Sequence, residues 1–331
     1  MAGDANLSEH DAWFTNVYRT RPPDNDIERI AELGINLDLH HKVLEEELNA
    51  TKPTIIIACG ATPLRFLCPQ TASRSDGASR IGLWKGSLLT SPRLNHPHYI
   101  VPMPHPAFIL REWSERPIGV FCIARAVEER DFWLHNGTLQ PLPERSLIVE
   151  PSADCVIDYL TNITDKKLQV SHDIECIKCS KKVSRSGFFP YTTSLAISPS
   201  DAISFSFWDY VKEKLAKIWR LLDLILGGNR QIGQNYLGFD CNWLEYLGFR
   251  VNENLVDDTM VMHHILFPEF EHKLQFQTFQ FTRQPYYKME GRGWKPSEKA
   301  KLMRYNALDS TVTFECYLAM MEEFKSREVG K

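Results

Sequence analysis

The chain has 331 residues, 43% of them apolar and 24% charged, a composition that belongs to folded globular protein and a length that allows two compact cores. Its formal net charge of −4 excludes a general basic surface as the means of gripping nucleic acid. No apolar run approaches the roughly 20 residues of a membrane span, and the polar start lacks an apolar signal core, so a cytoplasmic chain with no membrane partner is expected.

In chain order, the first half alternates helical and extended patterns. A polar helix is expected over Leu39 to Leu48, then Pro53 and an apolar strand Thr54 to Cys59, with Gly60 opening a short helix near Pro63 to Leu67. The Ser/Gly-rich stretch Pro69 to Gly77 reads as loop, Tyr99 to Met103 as a strand, and Ile118 to Trp133 as a helix. Asn136-Gly137 followed by Pro141 and Pro143 is the linker candidate, which places a boundary near residue 140 and domains at 1–140 and 141–331. Beyond it, Ser146 to Val149, Leu168 to Ile177, Thr193 to Ile197 and Ala202 to Trp208 read as strands. Ala153 to Ile163 and Lys212 to Leu226 read as helices, the latter stopped by Gly227-Gly228. Strands followed by helices predict a mixed sheet flanked by helices, an α/β fold.

Eight cysteines are scattered, and only Cys176-x-x-Cys179 has a spacing of interest. A closed structural zinc site needs four ligands, and no second pair follows at matching spacing, so two small strand residues in a reducing compartment are the plainer reading. Local basic groups are Arg19 with Arg21, Lys181 and Lys182 with Arg185, and the stretch Lys295 to Arg304, each also readable as a solvated face.

The chemistry-bearing residues are acids. On a strand, side chains alternate between faces, so Asp173 and Glu175 of His172-Asp-Ile-Glu-Cys176 point the same way. On a helix, positions four apart are neighbours, so Tyr305 and Asp309 of Tyr305-Asn-Ala-Leu-Asp309 project together, with Leu302 and Leu308 free to pack. Asp240, in Asn235-Tyr-Leu-Gly-Phe-Asp240, falls where a strand from Gln231 to Asn235 meets a helix running to Leu247. Four converging carboxylates repel one another unless cations intervene, and hard divalent ions such as Mg2+ or Mn2+ prefer oxygen ligands. Two ions about 4 Å apart activate a water and stabilise a leaving 3′ oxygen, the pattern of two-metal phosphodiester hydrolysis. Tyr305 would orient that water. Phe205, Phe207, Phe239 and Tyr286 are candidates to stack on unpaired bases or to serve as core, and His263-His264, on an expected helix, as packing or capping residues.

From about residue 145 onward, these motifs resemble the 3′–5′ proofreading exonuclease domain of phage-type family A DNA polymerases, the DEDD superfamily with tyrosine in its third motif. Asp173 and Glu175 match the first motif, Asn235 to Asp240 the second, and Tyr305 with Asp309 the third. Asp258-Thr-Met260 and Glu269 to Tyr287 resemble the helical segments between them. The resemblance implies an RNase H-like fold, Asp173, Glu175, Asp240 and Asp309 as metal ligands, single-stranded DNA 3′ ends as substrate, and nucleoside monophosphates as product.

Before the linker, Phe14-Thr-Asn16-Val-Tyr-Arg-Thr20-Arg-Pro22-Pro23, Ala58-Cys-Gly60-Ala-Thr-Pro-Leu64 and Met103-Pro-His105-Pro-Ala107 together resemble the uracil-DNA glycosylase superfamily, nearest its family 4 branch. There the residue at Asn16 reads the edge of a flipped uracil, and the residue at His105 stabilises the departing base. The family's glycine-rich first motif, which activates water, should lie upstream of Asn16, and the chain begins too close to it. An incomplete α/β glycosylase-like domain is therefore expected, with Asn16 and His105 as vestigial base-binding or as structural residues, and excision of uracil by this chain alone is not. Thr20 stands where the family has a cysteine, and the earlier cysteine pair is absent, so no iron–sulfur cluster is expected.

The chain also ends shortly after Asp309, where a family A polymerase would continue into its polymerase domain. The expectation is a subunit of a divided polymerase, partnered by a polymerase-domain polypeptide and by a polypeptide completing the glycosylase-like fold, in the host cytoplasm if phage-encoded. The alternative is a non-catalytic architectural subunit that uses the exonuclease fold for binding.

Overall fold

The computed structural model describes residues 12–34, 36–72, 80–179, 186–288 and 298–329, together with Leu7 and Lys182. The chain divides into two compact units, Met1–Leu142 and Pro143–Lys331. Among the described residues no helix is long and apolar enough to cross a membrane.

In the first unit, 3-10 turns at Pro23–Asn25 and Ile27–Leu33 precede helix α1 (Leu37–Thr51). Asn36 caps it by accepting the Asp38 N–H at 3.0 Å, and Leu44 and Leu48, one turn apart, face the core. Lys52 leaves the helix in the left-handed region, and Pro53 prevents its continuation. Then come β1 (Ile55–Cys59), α2 (Ala61–Leu67), α3 (Ile81–Trp84), β2 (Tyr99–Met103), α4 (Pro106–Ile109) and α5 (Arg116–Asn136). The strands pair in parallel, from Ile55 opposite Tyr99 to Cys59 opposite Met103, and α5 packs on both. Parallel neighbours require a crossover, and α2 and α3 lie within it. Gly60 ends β1 at φ +95, donates its N–H to the Met103 carbonyl at 2.9 Å, and has His105 so close that a Cβ would meet that of His105 at 3.2 Å.

The second unit runs β3 (Ser146–Val149), α6 (Ala153–Lys166), β4 (Val170–Lys178), β5 (Phe188–Ser198), β6 (Asp201–Ser206), α7 (Lys212–Gly228), β7 (Gln231–Gly233), α8 (Asp240–Tyr246), β8 (Val256–Asp258), α9 (Thr259–Leu266), α10 (Leu274–Phe281) and α11 (Lys299–Val329). Its sheet has the order β3-β6-β5-β4-β7-β8. Strands β4, β5 and β6 form an antiparallel meander, while β7 and β8 continue in parallel from β4, and β3 lies parallel to β6. A meander whose first strand also leads a parallel pair is the RNase H-like arrangement, with β3 added at the edge. The mixed sheet expected from sequence is present.

Alternation along the strands explains the two faces. Ile174, Leu195, Ile203 and Phe205 turn to one side and join Val156, Leu160, Leu222 and Ile225 of α6 and α7 in an apolar core. The other face is deliberately small and polar: Ala196 and Ala202 pack against Ala307, Phe314 and Tyr317 of α11, and Ser194 and Ser204 hydrogen-bond to Asn306. Small side chains let α11 lie close across the sheet, and Asp173 and Glu175 of β4 are on that face. Phe205 and Phe207 are 0% and 1% exposed, so they are core and not available to stack on bases. Tyr286 is buried as well, and Phe239 is the one of the four candidates that is exposed.

Candidate active site

Strand β4 supplies Asp173 and Glu175, both half-buried, and α11 supplies Asp309, 4% exposed. One carboxylate oxygen from each lies within 4.8 Å of the others. The β4–β5 register shifts between Glu175 and Cys176, where Tyr191 is the extra residue beside Pro190. A bulge there accommodates the proline, which has no N–H for the ladder.

Asp240, 3% exposed, is the first residue of α8. Strand β7 pairs with β4 only at Val170 and Ser171, so the later N–H groups on that edge need other partners. Asp240 Oδ1 accepts the Ile174 N–H at 3.0 Å, which ties the second-motif acid to the strand between the first two. The turn that delivers it is held by Asp258, whose carboxylate accepts the N–H groups of Asn235 at 3.0 Å, Leu237 at 3.3 Å and Met260 at 2.9 Å. Tyr305 stands one turn before Asp309 on α11, and the Lys288 ammonium joins them, donating to the Tyr305 hydroxyl at 2.8 Å and ion-pairing with Asp309 Oδ2.

Burial and mutual repulsion dominate the electrostatics. Desolvation first, then the charge of Asp309, push Asp173 up to about 8, against the opposing pull of Lys288 and a hydrogen bond from Asn306. Glu175 and Asp240 are raised well above the carboxylate range by burial and then by Asp173. Tyr305 is raised as well, by burial and then by Asp309, so its hydroxyl stays protonated at any working pH. All-oxygen donors suit a hard divalent ion, and the Asp309 Oδ1 atom, buried without a hydrogen bond, is an acceptor left for one. The residues present fit such an ion.

On the opposite face of β4, His172 anchors the strand. Burial pushes its imidazole down to about 3, so it is neutral, with one donor and one acceptor. Its Nδ1 meets the Tyr236 hydroxyl at 2.5 Å and its Nε2 meets Thr193 Oγ1 at 2.7 Å; Tyr236 donates onward to Gln231 Oε1 at 2.7 Å. With Tyr236 donating to Gln231, the ring donates from Nδ1 and accepts at Nε2. The chain of bonds fixes β4, β5 and the Asn235–Asp240 turn to one another through their buried sides.

Three supporting residues had no role in the motif reading: Asn306 and Asp258, which lie within quoted segments, and Lys288. Asn306 Nδ2 donates to Asp173 Oδ2 at 2.6 Å while its Oδ1 accepts from Ser204 at 3.0 Å. Its signal was available, because Asn306, Asp309, Ser310 and Thr313 form a polar stripe at helical spacing among the buried apolar residues of α11. Neither of the other two stands out by spacing. His263, buried, bonds His272 Nδ1 at 2.8 Å and Gln280 at 2.9 Å, and His264 Nδ1 meets His272 Nε2 at 2.9 Å, a packing role for the pair.

In the first unit, Asn16 and His105 are both exposed. His105 is thus not a buried core histidine; its Nδ1 accepts the Ala107 N–H at 3.1 Å and caps α4, at the carboxyl ends of β1 and β2. The segment bearing Asn16 is tethered to α1 through Glu47, which accepts from Trp13 Nε1 at 3.0 Å and Thr15 Oγ1 at 3.3 Å and pairs with Arg19. Of the basic groups, Lys299 pairs with Asp209, Lys182 is exposed, and Lys181, Arg185 and Lys295 lie outside the described residues. All eight cysteines, Cys176 and Cys179 included, are free thiols.

Residues 1–129 match the family model of the uracil DNA glycosylase superfamily. No curated protein matches the sequence. Among solved structures, the EXO domain of Aedes aegypti Nibbler is 13% identical with a TM-score of 0.42, covering 56% of this chain and 92% of that one. The catalytic core of RRP6 from Trypanosoma brucei is 12% identical with a TM-score of 0.38, covering 57% of this chain and 52% of that one. The RNase domain of the yeast Pop2 protein is 10% identical with a TM-score of 0.34, covering 56% and 90%. The chain thus joins a uracil-DNA glycosylase-like region to an RNase H-like domain carrying an acidic group able to hold a metal ion.

Proposed function

We propose that the chain is a metal-dependent 3′–5′ exonuclease that shortens DNA ends and works as a proofreading subunit beside a separate polymerase polypeptide. The convergence of Asp173, Glu175 and Asp309, with Asp240 bonded to the strand between the first two, carries this reading. A binding module has no need of four converging acids, of which burial and repulsion raise Asp173, Glu175 and Asp240 above the carboxylate range.

Asp173, Glu175, Asp240 and Asp309 would hold the divalent ions, Mg2+ or Mn2+. Bound there, such ions activate water and neutralise charge on the leaving 3′ oxygen. Asn306 fixes one Asp173 oxygen and so directs the other. Tyr305 keeps its proton and orients the attacking water by hydrogen bonding rather than as a base. Phe239, exposed beside Asp240, presents a ring to an unpaired base.

DNA is favoured over RNA by the glycosylase-like region, in which Asn16 and His105 lie at the surface, His105 at the carboxyl ends of the parallel strands. A polymerase partner is favoured by charge: phosphate contacts supply most nonspecific affinity, and at −4 this chain has little to offer, with Arg19 and Lys299 already paired to acids.

The purified chain with Mg2+ or Mn2+ is expected to shorten 5′-labelled single-stranded DNA stepwise from its 3′ end and to prefer it to RNA of the same sequence. Asp173→Ala should lower the rate by more than about a hundredfold, the upper end of what losing a supporting contact costs. Absence of DNA shortening in either metal, with and without added polymerase, would overturn the reading.

A further inference from the structure

We propose that Lys288 is a positioning residue of this centre, a tethered ammonium that holds Asp309 and Tyr305 while no metal ion is bound and that a divalent cation must displace. The inference rests on the reading of the four acids as a metal site.

The geometry is that of a built-in counter-ion. The Lys288 ammonium ion-pairs with Asp309 Oδ2, donates to the Tyr305 hydroxyl at 2.8 Å, and lies over the rings of Tyr305 and Tyr287 at 4.8 and 5.3 Å. Its side chain is 19% exposed and that of Asp309 6%, so the pair is largely withdrawn from water. Its charge also opposes the upward push on Asp173 and Glu175, which places those two acids, as well as Asp309, within its electrostatic reach.

A lysine is suited to such a task. Its ammonium is a compact point charge on a flexible four-carbon stem, able to swing away, whereas a guanidinium would lock to the carboxylate in a bidentate fork. Ammonium and metal ion seek the same negative charge, and whichever Asp309 oxygen the ion takes, a like charge would remain in contact with the same carboxylate. Lys288 therefore stabilises the metal-free state and weakens metal binding. The two effects have opposite signs, and a merely structural lysine would not produce that combination.

The test compares wild type, Lys288→Met, Lys288→Gln and Lys288→Arg in the full chain at pH 8. Mn2+ binding is measured by calorimetry, and thermal unfolding is followed in chelator and in saturating Mn2+. Both neutral variants should bind Mn2+ about tenfold more tightly and unfold at lower temperature in chelator, while Arg restores the chelator stability without tightening Mn2+. Lys288→Gln keeps a polar end for Tyr305, so it remains informative where Met fails to fold. Neutral variants that bind Mn2+ no more tightly than wild type overturn the proposal. If wild type itself shows no saturable Mn2+ binding, the metal reading falls with it, whereas wild-type binding insensitive to residue 288 sinks this inference and leaves the nuclease reading intact.

Discussion

In the presence of chelator, replacing Asp173 by Asn should stabilise the C-terminal unit at high pH and leave it unchanged at low pH. Asp173 is raised in the folded protein from 3.8 to about 8. A carboxyl whose folded value lies above its unfolded one binds its proton more tightly when folded, so its stabilising contribution is fully present below 3.8 and is lost as pH rises to about 8. At about 1.4 kcal/mol per pH unit, the span amounts to nearly 6 kcal/mol, and relaxation with water entry should leave about half, or roughly 3 kcal/mol. For a unit of this size that is a difference in melting temperature of about 6 to 12 °C. Asn preserves the shape and an acceptor for Asn306, so the exchange removes charge while keeping the packing. Melting curves of both proteins, recorded in chelator from pH 4.5 to pH 8.5, should diverge steadily, with Asp173→Asn the more stable at the alkaline end. Saturating Mn2+ should reverse the order, because wild type then gains most. Parallel pH profiles, or a less stable variant at pH 8 in chelator, would refute the reasoning.

Two further exchanges probe the scaffold. Gly233→Ala should cost about 3 kcal/mol by urea denaturation, because the new methyl would stand 2.4 Å from the ring of Tyr236, which is 0% exposed and cannot retreat; an unchanged midpoint would show that the turn into Asn235 has room to spare. Tyr236→Phe keeps that ring but leaves His172 Nδ1 and Gln231 Oε1 without their shared partner, for a loss of about 2 to 4 kcal/mol. A loss below about 0.5 kcal/mol would mean the buried chain of hydrogen bonds contributes little.

The acids were legible because their placement depends on local periodicity alone. Alternation on β4 puts Asp173 with Glu175, and one helical turn on α11 puts Tyr305 with Asp309, whatever the rest of the chain does. Element types were legible for the same reason, although β5 begins at Phe188 rather than Thr193, where Pro190 masks the pattern and the bulge beside it absorbs the interruption. Asp240 was placed by the strand-to-helix transition, but its bond to the Ile174 N–H follows from how early β7 parts from β4, which is a fact of sheet pairing.

The residues that periodicity missed act between elements distant in sequence. Asp258 grips a turn more than twenty residues upstream through two N–H groups while capping its own helix through a third, and nothing in its own neighbourhood distinguishes it from an ordinary helix cap. Lys288 meets Asp309 twenty-one residues later only because the chain after α10 folds back along α11. For Phe205 and Phe207 the sequence left stacking and core both open, and core follows only from α6 and α7 covering that side of the sheet. The general lesson concerns charge. Four acids can be recognised one by one, but their cost in the metal-free protein depends on a fifth group, and that group is found only once the helix carrying Asp309 has been laid across the sheet.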